Sequence, residues 1–329
     1  GRRRGPERDR PWFLCVSYTH PHDPYVNTPE YWERYEGRPL TPPEAPPQGW
    51  EPHAMDVWTN SYHGVDLVAP GPEDVARARR GYYASTSYFD DKVGALVAEV
   101  ERLGLAGDTL ILVTSDHGDM CGERGMWFKR TVREWSARVP LLAAGAGVAR
   151  GRRVGAVVSL VDLFPTLLEV AGVQAAPGFT HHLDGRSLAP FLRGGAVPDW
   201  PDAAIVENFG EATISPIRAL VRGRFKLIYV HGQPDQLHDL EADPHEWRNL
   251  AQEPDYAGVA RELKARLLDG WDAAACDRAI RESQHRRAFL KEALFQGKYA
   301  PWDYQPVFDA TTQYVRRASN RQWDPHLGC

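Results

Sequence analysis

Ser115-Asp116-His117-Gly118-Asp119 puts two carboxylates and an imidazole side by side, next to a glycine that lets the chain turn sharply. Aspartate and histidine offer oxygen and nitrogen to a hard or borderline divalent cation, so Asp116 and His117 are candidate metal ligands. Lys129 follows at a distance from which a returning loop can aim an ammonium at an anion held by that metal. A polar strand-to-loop turn with an ordinary cap uses the same residue types, and local chemistry leaves both readings open. A second group of imidazoles stands in Thr19-His20-Pro21-His22-Asp23-Pro24, where the plain alternative is a pair of turn histidines.

These groups need elements to hold them. Thr109–Thr114 is a β-branched apolar run that reads as a strand buried on both faces. The Asp-His cluster then lies at its carboxyl edge, where open α/β sheets bind ligands. Pro11–Tyr18 reads as another buried strand, with His20 and His22 just past its end. Residues 36–53 are too proline-rich for a regular element and form a loop or lid, packed down by Trp50, His53 and Trp58. Pro72–Gly104 reads as a long helix with Glu73 and Asp74 in its first turn. Its apolar face is Tyr82, Phe89, Val93, Leu96, Val100 and Leu103. Asp90 and Asp91 are neighbours in mid-helix, pointing about 100° apart, which suits the surface better than a paired catalytic role.

Val139–Ala144 is a further strand, and Asp162 stands as N-cap to a helix over Leu163–Val170. This alternation predicts an α/β domain with a mostly parallel sheet flanked by helices. From Ala203 the pattern changes to a strand over Ala204–Phe209, a hairpin of Ile217–Arg222 and Phe225–Val230, and a short strand Leu237–Leu240. With helices over Tyr256–Trp271 and Asp272–Gln296, this is a smaller antiparallel α+β subdomain. The expected divisions are residues 1–200, 201–298 and an aromatic tail, 299–329, which cannot form a core by itself.

The 329 residues, 43% apolar, are ample for one large core or a core plus a subdomain. The 39 Lys+Arg against 44 Asp+Glu give a net charge of -5, so no basic excess points to nucleic acid. No apolar run approaches the ~20 residues of a membrane span. Cys15, Cys121, Cys276 and Cys329 are scattered, which favours free thiols and a reducing, cytoplasmic setting.

Several segments carry a resemblance that spans nearly the whole chain in order. Thr114-Ser115-Asp116-His117-Gly118-Asp119 followed by Lys129 resembles the second metal-ligand segment of the sulfatases, in the alkaline phosphatase superfamily. Thr19–Pro24 resembles the segment whose histidine contacts the sulfate ester. Val161–Leu168 and Leu183–Leu188 resemble recurring structural segments, and Leu237–Pro244 with Asn249–Ala251 resembles the carboxyl-terminal signature. Trp302–Pro306 and Asp309–Arg316 resemble the extension peculiar to choline-sulfatases.

The resemblance implies a sulfatase-like α/β fold, incomplete at its amino end, and a sulfuric ester hydrolase acting on choline-O-sulfate. It implies a divalent metal (Ca, Mg or Mn) held by Asp116 and His117, although arylsulfatases usually have Asn where His117 stands. Lys129 and His22 become the sulfate-binding and catalytic pair, with His20 a further candidate, and Glu207 the residue facing the choline ammonium. The family's nucleophile is a formylglycine made from Cys or Ser in C/S-x-P-x-R. No residue here has that context, so the nucleophile is expected upstream and this chain alone is expected to be inactive. The tail implies a homo-oligomer, dimer or tetramer. The alternatives are a phosphonate monoester hydrolase or phosphodiesterase of the same superfamily, and a non-catalytic oligomerisation module.

Overall fold

Leu110–Thr114 forms strand β1, and its antiparallel partner is β2, Leu141–Gly145, in a register running from Leu110↔Gly145 to Thr114↔Leu141. The computed structural model describes residues 11–173 and 183–297, and among these the pair is a two-stranded ladder. The parallel pairing expected here is therefore not what these strands make. Between them, the connection contains only the single helical turns Glu123–Gly125 and Glu134–Ala137, and it re-enters at the end of β1 that it left. A parallel partner needs a crossover to the opposite end. The connection is thus the wide loop of a hairpin, and it carries the Asp-His cluster and Lys129.

β1 is half-buried along its length instead of covered on both faces. Pro11–Tyr18 also departs from expectation: it makes no ladder, and Phe13 and Leu14 are 75% and 64% exposed. An apolar run becomes a buried strand only when a neighbour takes up its amides, and among the described residues none does.

The long helix runs over Pro72–Arg102, with Pro at its start and Glu73 and Asp74 in the first turn. Its buried positions are Arg79, Gly81, Ala84 and Ser85, not the expected ladder of large apolar side chains, of which Leu96 and Leu103 are exposed. The small residues matter because another backbone crosses here. A Cβ on Gly81 would lie 2.7 Å from the Tyr25 carbonyl oxygen. Asn27 Nδ2 donates to Gly81 O at 2.9 Å, and Ser85 Oγ donates to Asn27 Oδ1 at 3.0 Å. The helix is a floor for the segment that follows His22. Asp91 sits on the outside, accepting from Tyr31 Oη and Arg34.

Asp162 does not cap Leu163–Val170 with its side chain. Its carboxylate accepts from Ser159 N and Arg186 N, both at 2.8 Å, while Thr166 Oγ1 accepts from Leu188 N at 2.7 Å. The segments around Val161 and Leu183 are stitched together by these bonds.

The second sheet is antiparallel in the order β3 (Ala203–Asn208), β4 (Ile217–Arg222), β5 (Phe225–Val230) and β6 (Gln236–Asp239). Strand alternation gives it two distinct faces. Leu220, Leu227 and Leu237 pack on Leu263 and Leu267 of the helix Ala257–Leu268. Val206, Ile217, Ala219, Ile228 and Val230 pack on Met55, Trp58 and Val132, toward the wide loop. The chain divides into two compact units, Gly1–Asp277 and Arg278–Cys329, so both sheets belong to the first and the expected boundary at residue 200 falls inside it. The helix Ala273–Phe295 runs across the division. The aromatic tail from Tyr299 lies outside the described residues.

Candidate active site

Lys129 Nζ is hydrogen-bonded to His22 Nε2, bringing together groups far apart in sequence. An ammonium can only donate, so Nε2 accepts and the ring proton sits on Nδ1. Nδ1 is 2.7 Å from Asp23 O and 3.1 Å from Asp23 Oδ1, which gives that proton its acceptors. His22 N donates to Thr19 O at 3.0 Å, closing the turn that presents the ring. The His117 ring lies edge-on to His22, with centroids 6.0 Å apart. His22, Lys129 and His117 thus form one cluster.

His117 is placed by its own loop. Ser115 Oγ donates to His117 O at 2.7 Å, and His117 N donates to Asp116 Oδ1 at 3.0 Å. Gly118 has no room for a side chain, since a Cβ would lie 2.1 Å from Trp135 O, and its amide donates to Ser136 O at 2.7 Å. Asp116 Oδ2 stands 3.6 Å from His117 Nε2, with the Asp116 side chain 86% exposed. Asp119 is anchored elsewhere: Tyr25 Oη donates to it at 2.8 Å, and Cys121 N at 2.9 Å. Burial, with the Asp119 charge beside them, raises the pKa of both the Tyr25 hydroxyl and the Cys121 thiol.

Asp116 and His117 are suitable donors for a divalent cation, yet two donors do not make a coordination shell. Among the described residues no group of three or more His, Cys, Asp or Glu is placed to hold a metal ion. The donor set here does not by itself fit the metal that the sequence implies.

The other two candidates have partners of their own. His20 packs on Tyr88, with ring centroids 4.8 Å apart. Glu207 pairs with Arg218 across the β3–β4 ladder, carboxylate to Nε 2.7 Å. Alternation turns Glu207 to the Leu220 face of the sheet and its neighbour Asn208 to the Val206 face, toward the wide loop. Arg218 lies over Trp271, 4.8 Å from the ring centroid, and donates to Leu267 O at 2.8 Å. The carboxylate therefore already has a cation.

Two features went unread in the sequence. His63 lies against Phe128, ring centroids 4.9 Å apart, and burial lowers its pKa. The same wide loop also enters a buried ionic cluster: Asp56 accepts from Arg133 at 2.8 and 3.1 Å and from Arg124 at 3.1 Å. Lys226 pairs with Glu134 at 2.8 Å and Glu246 at 3.2 Å, and Arg133 reaches His238 at 3.2 Å and Gln236 at 2.8 Å. Burial opposes charge on Asp56, but Arg133 and Arg124 outweigh it and hold the carboxyl below its usual range. Burial likewise opposes charge on Glu246, yet Lys226 and Arg133 bring it down to about 2. Burial, with Arg133 alongside, pushes His238 down to about 4. Arg124 is further clasped by Trp50 and Trp247, 4.7 and 4.5 Å from their centroids.

Residues 5–173 match the family described as Sulfatase. The chain belongs to the sulfatase family. Residues 122–272 of this sulfatase match the carboxyl-terminal family of N-sulphoglucosamine sulphohydrolase, and residues 278–325 match "Choline sulfatase enzyme C terminal". It is similar to the choline-sulfatase of Rhizobium meliloti, 41% identical over 324 residues, covering 95% of this chain and 61% of that one. It is 30% identical to arylsulfatase K of Xenopus laevis over 74% of this chain and 48% of that one. The chain thus spans about half to three-fifths of the length of these relatives. Among solved structures it resembles the phosphonate monoester hydrolase of Silicibacter pomeroyi, TM-score 0.69 and 29% identity, over 80% of this chain and 56% of that one. The fold is accordingly that of the sulfatases and the alkaline phosphatase superfamily, with a separate small antiparallel sheet. No described helix of this sulfatase is long and apolar enough to cross a membrane.

Proposed function

We propose that this sulfatase serves the hydrolysis of choline-O-sulfate to choline and sulfate, with Lys129 and His22 as the grip on the sulfate group. The observation that carries this reading is the Lys129–His22 contact with His117 beside it. An ammonium is a compact donor for a sulfate oxygen, and the imidazole Nε2 next to it, after taking up a proton from water, can give that proton to the ester oxygen that leaves with choline. When sulfate enters, Lys129 turns its protons to the anion and His22 Nε2 is released from accepting them. Sulfatases as a family use a divalent metal and a formylglycine. Asp116 and His117 are the residues of this chain that would face such a metal, with further ligands needed to complete its shell. The identity to a choline-sulfatase supports the choice of ester.

A calorimetric titration tests this. Choline-O-sulfate should bind the chain, and Lys129→Ala should weaken binding by about tenfold or more, the scale of a lost charged hydrogen bond. Undiminished binding by Lys129→Ala would remove the assignment. A phosphonate monoester is the second substrate to try, because the Silicibacter pomeroyi enzyme shares the fold at 29% identity. Tighter binding of the phosphonate than of choline-O-sulfate would favour that activity.

A further inference from the structure

Lys129 stands between two residues whose backbone is left-handed although both carry side chains, Phe128 at φ 63° and Arg130 at φ 78°. Such conformations persist only where the surroundings over-determine them. On the Phe128 side, its carbonyl accepts the Met120 amide at 2.7 Å and its ring rests on His63. On the Arg130 side the holding group comes from a different element. Asn208 Nδ2 donates to Arg130 O at 2.8 Å and to Glu211 O at 3.1 Å, and Asn208 Oδ1 accepts from Gly210 N at 3.3 Å. Arg130 Nε closes the ring on Glu211 Oε2 at 2.5 Å.

Both amide hydrogens of Asn208 are therefore spent on carbonyls, one of them a neighbour of Lys129. The residue is rigidly based: it ends β3, paired with the buried Ile217. It faces the wide loop because it is one step along the strand from Glu207. An aspartate of the same size would present two acceptors to two carbonyl oxygens, so this position calls for a carboxamide or another donor.

We propose that Asn208 is a positioning residue for Lys129: its hydrogen bond to the Arg130 carbonyl fixes the left-handed turn that aims the Lys129 ammonium at His22. The proposal rests on the reading of Lys129 and His22 as one site. It makes the antiparallel sheet part of the sulfate grip without any of its side chains touching the anion.

The test uses the whole chain with lysine labelled in 13C and 15N, each Cε–Nζ signal assigned by Lys→Arg replacement. His22→Ala is the reference that displaces the Lys129 signal. Asn208→Asp and Asn208→Ala should displace it too, while the signal of Lys226, buried and ion-paired on the same sheet, stays in place. A Lys129 signal at its wild-type position in both Asn208 variants overturns the proposal. So does one displaced only together with Lys226, since Asn208 would then serve the sheet as a whole. Inorganic sulfate, added to the same samples, separates the two claims. It should move the wild-type Lys129 signal, and about tenfold more should be needed in Asn208→Asp, equivalent to 1.4 kcal/mol. A wild-type signal indifferent to sulfate refutes the sulfate reading of the site, whereas the Asn208 displacement is judged without any anion.

Discussion

Glu207 poses the sharpest question at the level of single residues. Its carboxylate is held by Arg218 at 2.7 Å, and Arg218 is in turn anchored on Trp271 and Leu267 O. A quaternary ammonium offers no N–H to replace the guanidinium's hydrogen bond, so choline must win by charge and by contact with aromatic faces. If Glu207 recognises choline, Glu207→Gln should weaken choline-O-sulfate several-fold more than a neutral aryl sulfate, measured by the same calorimetry. Equal losses on both esters would leave Glu207 as the partner of Arg218 alone. That His22 and Lys129 belong together, as their contact shows, was legible in the sequence because their segments carry recognisable neighbours, His-Asp-Pro and Trp-Phe-Lys. Asn208 and His63 were not. Their roles depend on a carbonyl and a ring brought to them from elsewhere, and nothing in Glu207-Asn208-Phe209 or Tyr62-His63-Gly64 announces the partner.

Between elements, the ionic cluster joins the helix Ala54–Tyr62, the wide loop, β5, β6 and the Glu246 loop. His238 inside it accepts no proton until about pH 4, against 6.5 for the free side chain. Between these values the unfolded chain binds a proton that the fold refuses. Stability is therefore complete above pH 6.5 and falls as pH drops toward 4, by on the order of 3 kcal/mol for this group. Glu246, held down to about 2 from 4.5, adds a further loss in the same direction at lower pH. Urea midpoints measured between pH 7 and 4.5 should fall, and His238→Gln should make that fall shallower. It should not abolish it, since burial also lowers His53 and His63. A slope unchanged in His238→Gln would remove His238 from the account. The antiparallel strands themselves were readable, because alternation and the Arg222-Gly223-Arg224 turn are local signals. The direction of β2 was not, since it depends on where a long loop returns.

Taken whole, the chain brings Lys129, His22 and His117 together, and no residue among these 329 stands in a C/S-x-P-x-R context. With metal and choline-O-sulfate supplied, the 329-residue chain should release no sulfate above a Lys129→Ala, Asp116→Ala control. Release above that control would require a nucleophile other than the family's. Residues 278–325, matched to the choline sulfatase carboxyl terminus, hold Tyr299, Trp302, Tyr304, Phe308, Tyr314 and Trp323. If they join subunits, deleting residues 299–329 should lower the mass seen in light scattering, and an unchanged mass would place the segment on its own subunit. The family was legible from end to end. The exposure of Phe13 and Leu14 was not, because composition reports that a segment is apolar and not whether a neighbour covers it.

The ionic cluster also bears on how such enzymes can be recombined. Asp56, Arg124, Arg133 and Glu134 come from one side of residue 200, and Lys226, His238 and Glu246 from the other. A hybrid joining residues 1–200 of this sulfatase to the sheet of a relative would keep the cluster only where that relative supplies partners for Asp56, Arg124, Arg133 and Glu134. A crossover near residue 200 cuts between partners of this cluster, so the seven positions are the set to move as one.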